Sequence, residues 1–150
     1  MSAGDEDAPE LAEKANASGP IGNADEIMFR QIHPILYQAG AVASSAFMPT
    51  EDDQGQMSVD RESLTSPKAS FDLYRENGRQ SAAVYGVSVG EFTVEGIPCL
   101  PDPLPATEIQ KANAAHAYAD YNGIGTNQRR KKAQRLRTVA LRRGLLHPLA

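Results

Sequence analysis

Arg30, His33, Ser44 and Ser45 lie within one stretch, FRQIHPILYQAGAVASSAFMPT (Phe29 to Thr50), and their types and spacing are those of groups that do chemistry. Histidine titrates near neutrality, so His33 at a strand-to-helix corner can act as a general base, or bind an anion beside free helical N–H groups. Arg30 alternates with Ile32 on an apolar run, and the hydroxyls of Ser44 and Ser45 at a strand edge can bind ribose or phosphate oxygens. The same residues have a plainer use. A histidine before proline ties down a turn, and a serine pair in a small-residue strand simply packs.

Two further residues sit where they could converge with His33: Arg61 in SVDR and His116 in AHAYADY. Arg61 has an ordinary alternative, pairing with Asp60, Glu62 or another surface acid, a contact worth about 0–1 kcal/mol. Cys99 lies between Pro98 and Leu100 without a basic neighbour, which argues against a nucleophilic thiolate. No metal is expected. His33, His116 and His147 are far apart, and the acidic TEDDQGQ lacks the ligand spacing of a calcium loop.

Charge is segregated along the chain. The net charge of −4 divides into −6 over residues 1–26, −6 over 27–126 and +8 over 127–150. The basic end, with Arg129, Arg130, Lys131, Lys132, Arg135 and Arg137 among its eight bases, suits salt-dependent contacts to phosphate. It can equally dock on an acidic protein surface or serve as an internal electrostatic partner of the acidic body.

The elements that must position these groups read as follows. IMFRQI is a short strand, His33-Pro34 turns the chain, PILYQAG is a short helix closed by Gly40, and AVASSAF is a second strand ended by Met48-Pro49. MSVDR is a strand. Ser66 at the N-cap, Pro67 at the first helical position and Gly78 beyond the last turn mark a helix over KASFDLYREN. SAAVYGVSV is a strand, and Ser88 with Glu91 forms a capping box for a short helix stopped at Gly96. IPCLPDPLP, rich in proline, must be extended and lie at an edge or on the surface. AHAYADY is a last strand, and Thr126 caps a final helix that runs through Arg143 and docks by Ala133, Leu136, Val139 and Ala140.

The expected fold is therefore α+β: a single compact domain of short strands with about three or four helices over residues 26–150, preceded by a flexible acidic arm over residues 1–25. With 150 residues the chain can bury a real core without disulfides or metal. One cysteine and no apolar leader or membrane-length run point to a cytoplasmic protein without a membrane partner.

The order of Arg30, His33, a short helix, Gly40 and a serine-bearing strand is similar to the opening of small bacterial ADP-ribosyltransferase-like toxins. That resemblance covers about 30 residues. It implies NAD as the cofactor, held by Arg30 or His33, with Ser44 or Ser45 lining its pocket and Glu91 as the late acid. The chain also resembles small bacterial proteins of unassigned function that carry an RxxHP, SSxAFxPT, LSVxR series; here the stretches are RQIHP (Arg30 to Pro34), SSAFMPT (Ser44 to Thr50), one residue shorter than the pattern, and MSVDR (Met57 to Arg61), with Met in place of Leu. The resulting expectation is a small intracellular protein acting on or near nucleic acid, as a toxin-like or defence-associated transferase. The alternative is a non-catalytic interaction module such as an immunity or adaptor subunit.

Overall fold

The apolar alternation in IMFRQI and MSVDR puts two different faces on one sheet, and those faces decide where the core lies and where a cleft is left. The computed structural model of the protein describes residues 19–149. Its strands are β1 (Ile27–Ile32), β2 (Tyr37–Gln38), β3 (Ala41–Val42), β4 (Gln56–Arg61), β5 (Ala83–Ser88), β6 (Cys99–Pro101) and β7 (His116–Asp120). The α-helices among the described residues are α1 (Pro67–Glu76), α2 (Val89–Val94) and α3 (Thr126–Arg143). Five strands form one antiparallel sheet in the order β5-β1-β4-β7-β6, and β2 and β3 pair separately as a hairpin. The α+β class read from the sequence is the one found.

One face of the sheet carries Met28, Ile32, Met57, Val59, Tyr85, Val87, Cys99, Ala117 and Ala119, all buried. Helix α3 covers it with Ala133, Leu136 and Ala140, while Ala46 and Phe47 of the 3-10 turn Ser44–Phe47 close the side. Small residues on α3 let its backbone approach the sheet, and burying a side chain of leucine size there contributes about 1.5–3 kcal/mol. Tyr121 is fully buried in this layer, its hydroxyl donating to the Phe47 carbonyl.

The opposite face is covered only in part. Phe29 and Val84 meet Phe71 of α1, flanked by Ile27 and Leu146. Helix α1 starts as its sequence dictates, with the Ser66 hydroxyl accepting from the Ala69 N–H at 3.2 Å and Pro67 in the first turn. Beyond its reach the central strands turn polar on this side. Gln31, Ser58, Asp60 and His116 form the floor of a cleft.

Several local expectations are corrected. PILYQAG is not a helix: after the 3-10 turn Pro34–Leu36 the chain enters the β2–β3 hairpin, whose turn holds Ala39 at φ 54° and Gly40 at φ 76°. AVASSAF is not one strand, because only Ala41–Val42 pairs before the chain coils into the turn at Ser44. Gly125, not Thr126, occupies the N-cap of α3. Of the acidic arm, residues 19–25 belong to the body. Ile21 is buried and its N–H donates to the Cys99 carbonyl at 2.8 Å, and the Ala24 carbonyl accepts from Gly90 at 2.9 Å. The remainder of the arm lies outside the described residues. No helix among the described residues is long and apolar enough to cross a membrane.

Candidate active site

Strand register brings together three residues that are far apart in sequence. In the β4–β7 ladder Ser58 stands opposite Tyr118 and Asp60 opposite His116, so Ser58 and His116 are diagonal neighbours on one face. The imidazole crosses that diagonal, placing Nε2 3.1 Å from the Ser58 hydroxyl. Behind the ring, Nδ1 is 3.0 Å from the Asp102 carbonyl oxygen and 3.2 Å from its carboxylate. Both neighbours of Nδ1 are acceptors, so Nδ1 carries the proton. With the ring neutral, its remaining lone pair, on Nε2, would face Ser58, whose hydroxyl would donate to it. Asp102 is fixed by the edge of the sheet: its N–H donates to the His116 carbonyl at 2.9 Å, between two prolines that have no N–H to offer.

The cleft above this series has a volume of about 460 Å³. Tyr74, Asn77 and Arg79 at the end of α1 form one wall, and the loop carrying Leu104, Lys111 and Asn113 forms another. That loop is tied to α1 by Asn77, which accepts from the Lys111 N–H at 2.9 Å and donates to the Lys111 carbonyl at 3.3 Å. Under the floor runs a polar relay. Gln31 donates to Ser70 at 2.8 Å, Ser70 donates to the Asp60 carboxylate at 2.6 Å, and Asn113 donates to the other Asp60 oxygen at 2.9 Å.

Of the residues singled out in the sequence, Arg30 and His116 line this cleft and the others do not. Arg30 lies where the β1–β4 ladder stops after Phe29 and Asp60. Its guanidinium bridges the gap, donating to the Ala46 carbonyl at 2.7 Å and the Ser58 carbonyl at 3.0 Å. Burial holds its pKa below the ordinary arginine value.

His33 is exposed and accepts from the Ile35 N–H at 3.1 Å, capping the 3-10 turn. Ser44 and Ser45 open the next turn, away from the cleft. Arg61 pairs with the buried Glu26, at 3.0 and 3.2 Å, rather than with Asp60 or Glu62. Burial would raise the Glu26 pKa, but Arg61 and Ser63 outweigh it and hold the carboxyl below its usual value. Glu91 accepts from the Ser88 N–H in the capping box and pairs with Arg143 at 2.8 Å. The Arg30, His33, Ser44, Ser45 and Glu91 set is thus distributed over three regions of the fold. Burial pushes the Cys99 thiol up to about 12, which leaves it protonated.

The basic helix is largely engaged by the body. Arg129 donates to the Ile124 and Tyr121 carbonyls, Lys132 to the Glu95 carbonyl, Arg137 to the Val42 carbonyl, and Arg135 binds the Glu95 carboxylate. Arg130, Lys131 and Arg142 remain exposed. Among the described residues no three His, Cys, Asp or Glu side chains gather as a metal site.

Ser58 and Asp102 were not legible as site residues. Ser58 is one polar member of an alternating strand, and Asp102 is one acid in a proline-rich run; only the sheet register joins them to His116. No family model, curated protein or solved structure matches this chain.

Proposed function

We propose that the protein is a small hydrolase that cleaves an ester through a Ser58 nucleophile, with His116 as general base and Asp102 as the group that orients it. The observation that carries this reading is the unbroken series Ser58 Oγ, His116 Nε2, His116 Nδ1 and Asp102 at 3.1 and 3.2 Å, opening on a cleft. Those separations are within the range at which a nucleophile and its base exchange a proton. In the forward step the Ser58 oxygen attacks the ester carbonyl as its proton passes to His116 Nε2. The imidazolium, stabilised by Asp102, returns that proton to the departing alcohol. Water then attacks the acyl-serine, giving its proton to His116, which passes it to the departing Ser58 oxygen as the acid is released.

The test is covalent labelling. A fluorophosphonate should modify the wild-type protein at Ser58 as shown by peptide mass; Ser58→Ala should abolish the labelling and His116→Ala should slow it roughly 10²–10⁴-fold, both with folding preserved. Absence of labelling at any concentration that labels known serine hydrolases would reject the reading.

A second reading keeps nucleic acid as the target. The exposed Arg130, Lys131 and Arg142 on α3 favour it, since they make no ion pair among the described residues and can meet phosphates. In that reading the transferase chemistry expected from the Arg30 and His33 stretch would need NAD, and incubation with labelled NAD and RNA tests it directly.

A further inference from the structure

We propose that the cleft selects a small substrate bearing an oxyanion, a carboxylate or a phosphate, and that Arg30 and Arg79 bind that group. The inference rests on the reading of Ser58 and His116 only in calling the bound molecule a substrate; the anion site itself follows from how the charges of the cleft are committed.

The acids that line the cleft, Asp53 and Asp60, accept from neutral donors and make no ion pair with either arginine among the described residues. Both Asp60 oxygens accept hydrogen bonds, from Ser70 and from Asn113. Asp53 accepts from the Thr50 N–H at 2.7 Å in a capping box. Asp102, behind the floor, holds His116. Lys111 is likewise paired, with Glu76 at 2.9 Å.

The two arginines are not. Arg30 is partly buried, yet both of its acceptors are neutral carbonyls, and it makes no ion pair among the described residues. A guanidinium has five donors, and the Asp53 carboxylate acts on this one only from beyond ion-pair distance, which leaves removal from water costly. Its second terminal nitrogen has no acceptor among the described residues, although it is not sealed from solvent, and the residue lines the cleft. Arg79 lines the same cleft and also lacks an ion pair among the described residues; its guanidinium lies 5.8 Å from the Tyr74 ring centre, an arrangement that orders the side chain. Both guanidiniums therefore keep donors that no carboxylate of the cleft takes up. Guanidinium forks match carboxylate and phosphate oxygens. A volume of about 460 Å³ is that of a small-molecule site.

The experiment uses full-length Ser58→Ala protein, so that nothing is turned over, and titrates phenyl phosphate, benzoate and the neutral benzyl alcohol by calorimetry at low and high salt. At least one anion should bind at least tenfold tighter than benzyl alcohol, and whichever is preferred identifies the oxyanion as carboxylate or phosphate. Adding Arg79→Gln, an exposed position whose loss leaves the fold intact, should weaken that anion about tenfold and leave benzyl alcohol unchanged. Equal affinity for anion and alcohol, or an unaltered anion affinity in Arg79→Gln, overturns the proposal. Anion binding without fluorophosphonate labelling of the wild type would keep the subsite and remove the hydrolase reading. Labelling without any anion preference would do the reverse.

Discussion

Asp102 holds His116 twice, through its main-chain carbonyl at 3.0 Å and through its carboxylate at 3.2 Å, both at Nδ1. The tautomer that points a lone pair at Ser58 is therefore not set by the carboxylate alone. The carboxylate adds what the carbonyl cannot, a full negative charge beside the imidazolium that forms when Ser58 gives up its proton.

That double hold sets an expectation for mutants of the proposed hydrolase. In Asp102→Asn the carbonyl still fixes the tautomer, and the loss is that of a charge-assisted hydrogen bond, about 1.5–3 kcal/mol or roughly ten- to hundredfold in labelling rate. His116→Ala removes the base and should cost roughly 10²–10⁴-fold. The rates of fluorophosphonate modification of the two variants check this, and an Asp102→Asn variant as impaired as His116→Ala would contradict it.

The Glu26–Arg61 pair makes stability depend on acid pH. Because the folded Glu26 carboxyl titrates below its unfolded value, its contribution is complete above the unfolded pKa and is lost as pH falls through the folded one. Glu91, held low by Arg143 and Ser88 against its burial, acts in the same direction. At neutral pH, Glu26→Gln should lower stability by about 1.5–3 kcal/mol, the worth of hydrogen bonds to a charged group. Urea unfolding at pH 7 and below pH 4 measures the difference, which should shrink at the lower pH.

How far the sequence could be read depended on how local each signal was. Helix α1 was legible because Ser66, Pro67 and Gly78 mark its ends within a single segment, and the Ser88–Glu91 box because both its bonds span three residues. The extended proline-rich segment was legible because Pro98, Pro101 and Pro103 cannot donate to a ladder. PILYQAG and AVASSAF misled because Ala39 takes a positive φ that an alanine rarely adopts, turning a helical pattern into a hairpin, and because Ser44 and Ser45 begin a turn where a strand was expected. Ser58 and Asp102 carry no local signal. Their roles come from the pairing of β4 with β7 and of β7 with β6, which relates residues 58, 102 and 116 only after the sheet has formed.

His33 separates a capping role from a chemical one. Its ring accepts the Ile35 N–H at the start of Pro34–Leu36 and it does not line the cleft. His33→Ala should lower stability by about 0.5–2 kcal/mol, as loss of a cap does, and leave Ser58 labelling at the wild-type rate. His33→Asn, whose side chain can accept the same N–H, should recover most of the stability. A labelling defect in His33→Ala at unchanged stability would return His33 to the site.

The basic helix can be tested for nucleic acid only by keeping it in place. Leu136, Ala133 and Ala140 cover the main core face, so a chain ended before α3 would expose that face and fail to fold, whatever it binds. Reversing Arg135 or Arg143 would also mislead, since each pairs with an acid on α2 or at its C-terminal end, Glu95 and Glu91. Arg130, Lys131 and Arg142 are exposed, and among the described residues Arg130 alone of the three makes a side-chain hydrogen bond, at 3.4 Å to the neighbouring Asn127. The triple change of these three to glutamate should keep the melting temperature within a few degrees, because surface substitutions of this kind stay within about 0.5 kcal/mol each. If α3 meets RNA or DNA, that variant should lose the affinity and flatten its dependence on salt, since three phosphate contacts account for a slope of about three in log–log form. Binding by the wild type that survives the triple change would place any nucleic-acid contact elsewhere, with the arginines of the cleft as the next positions to alter.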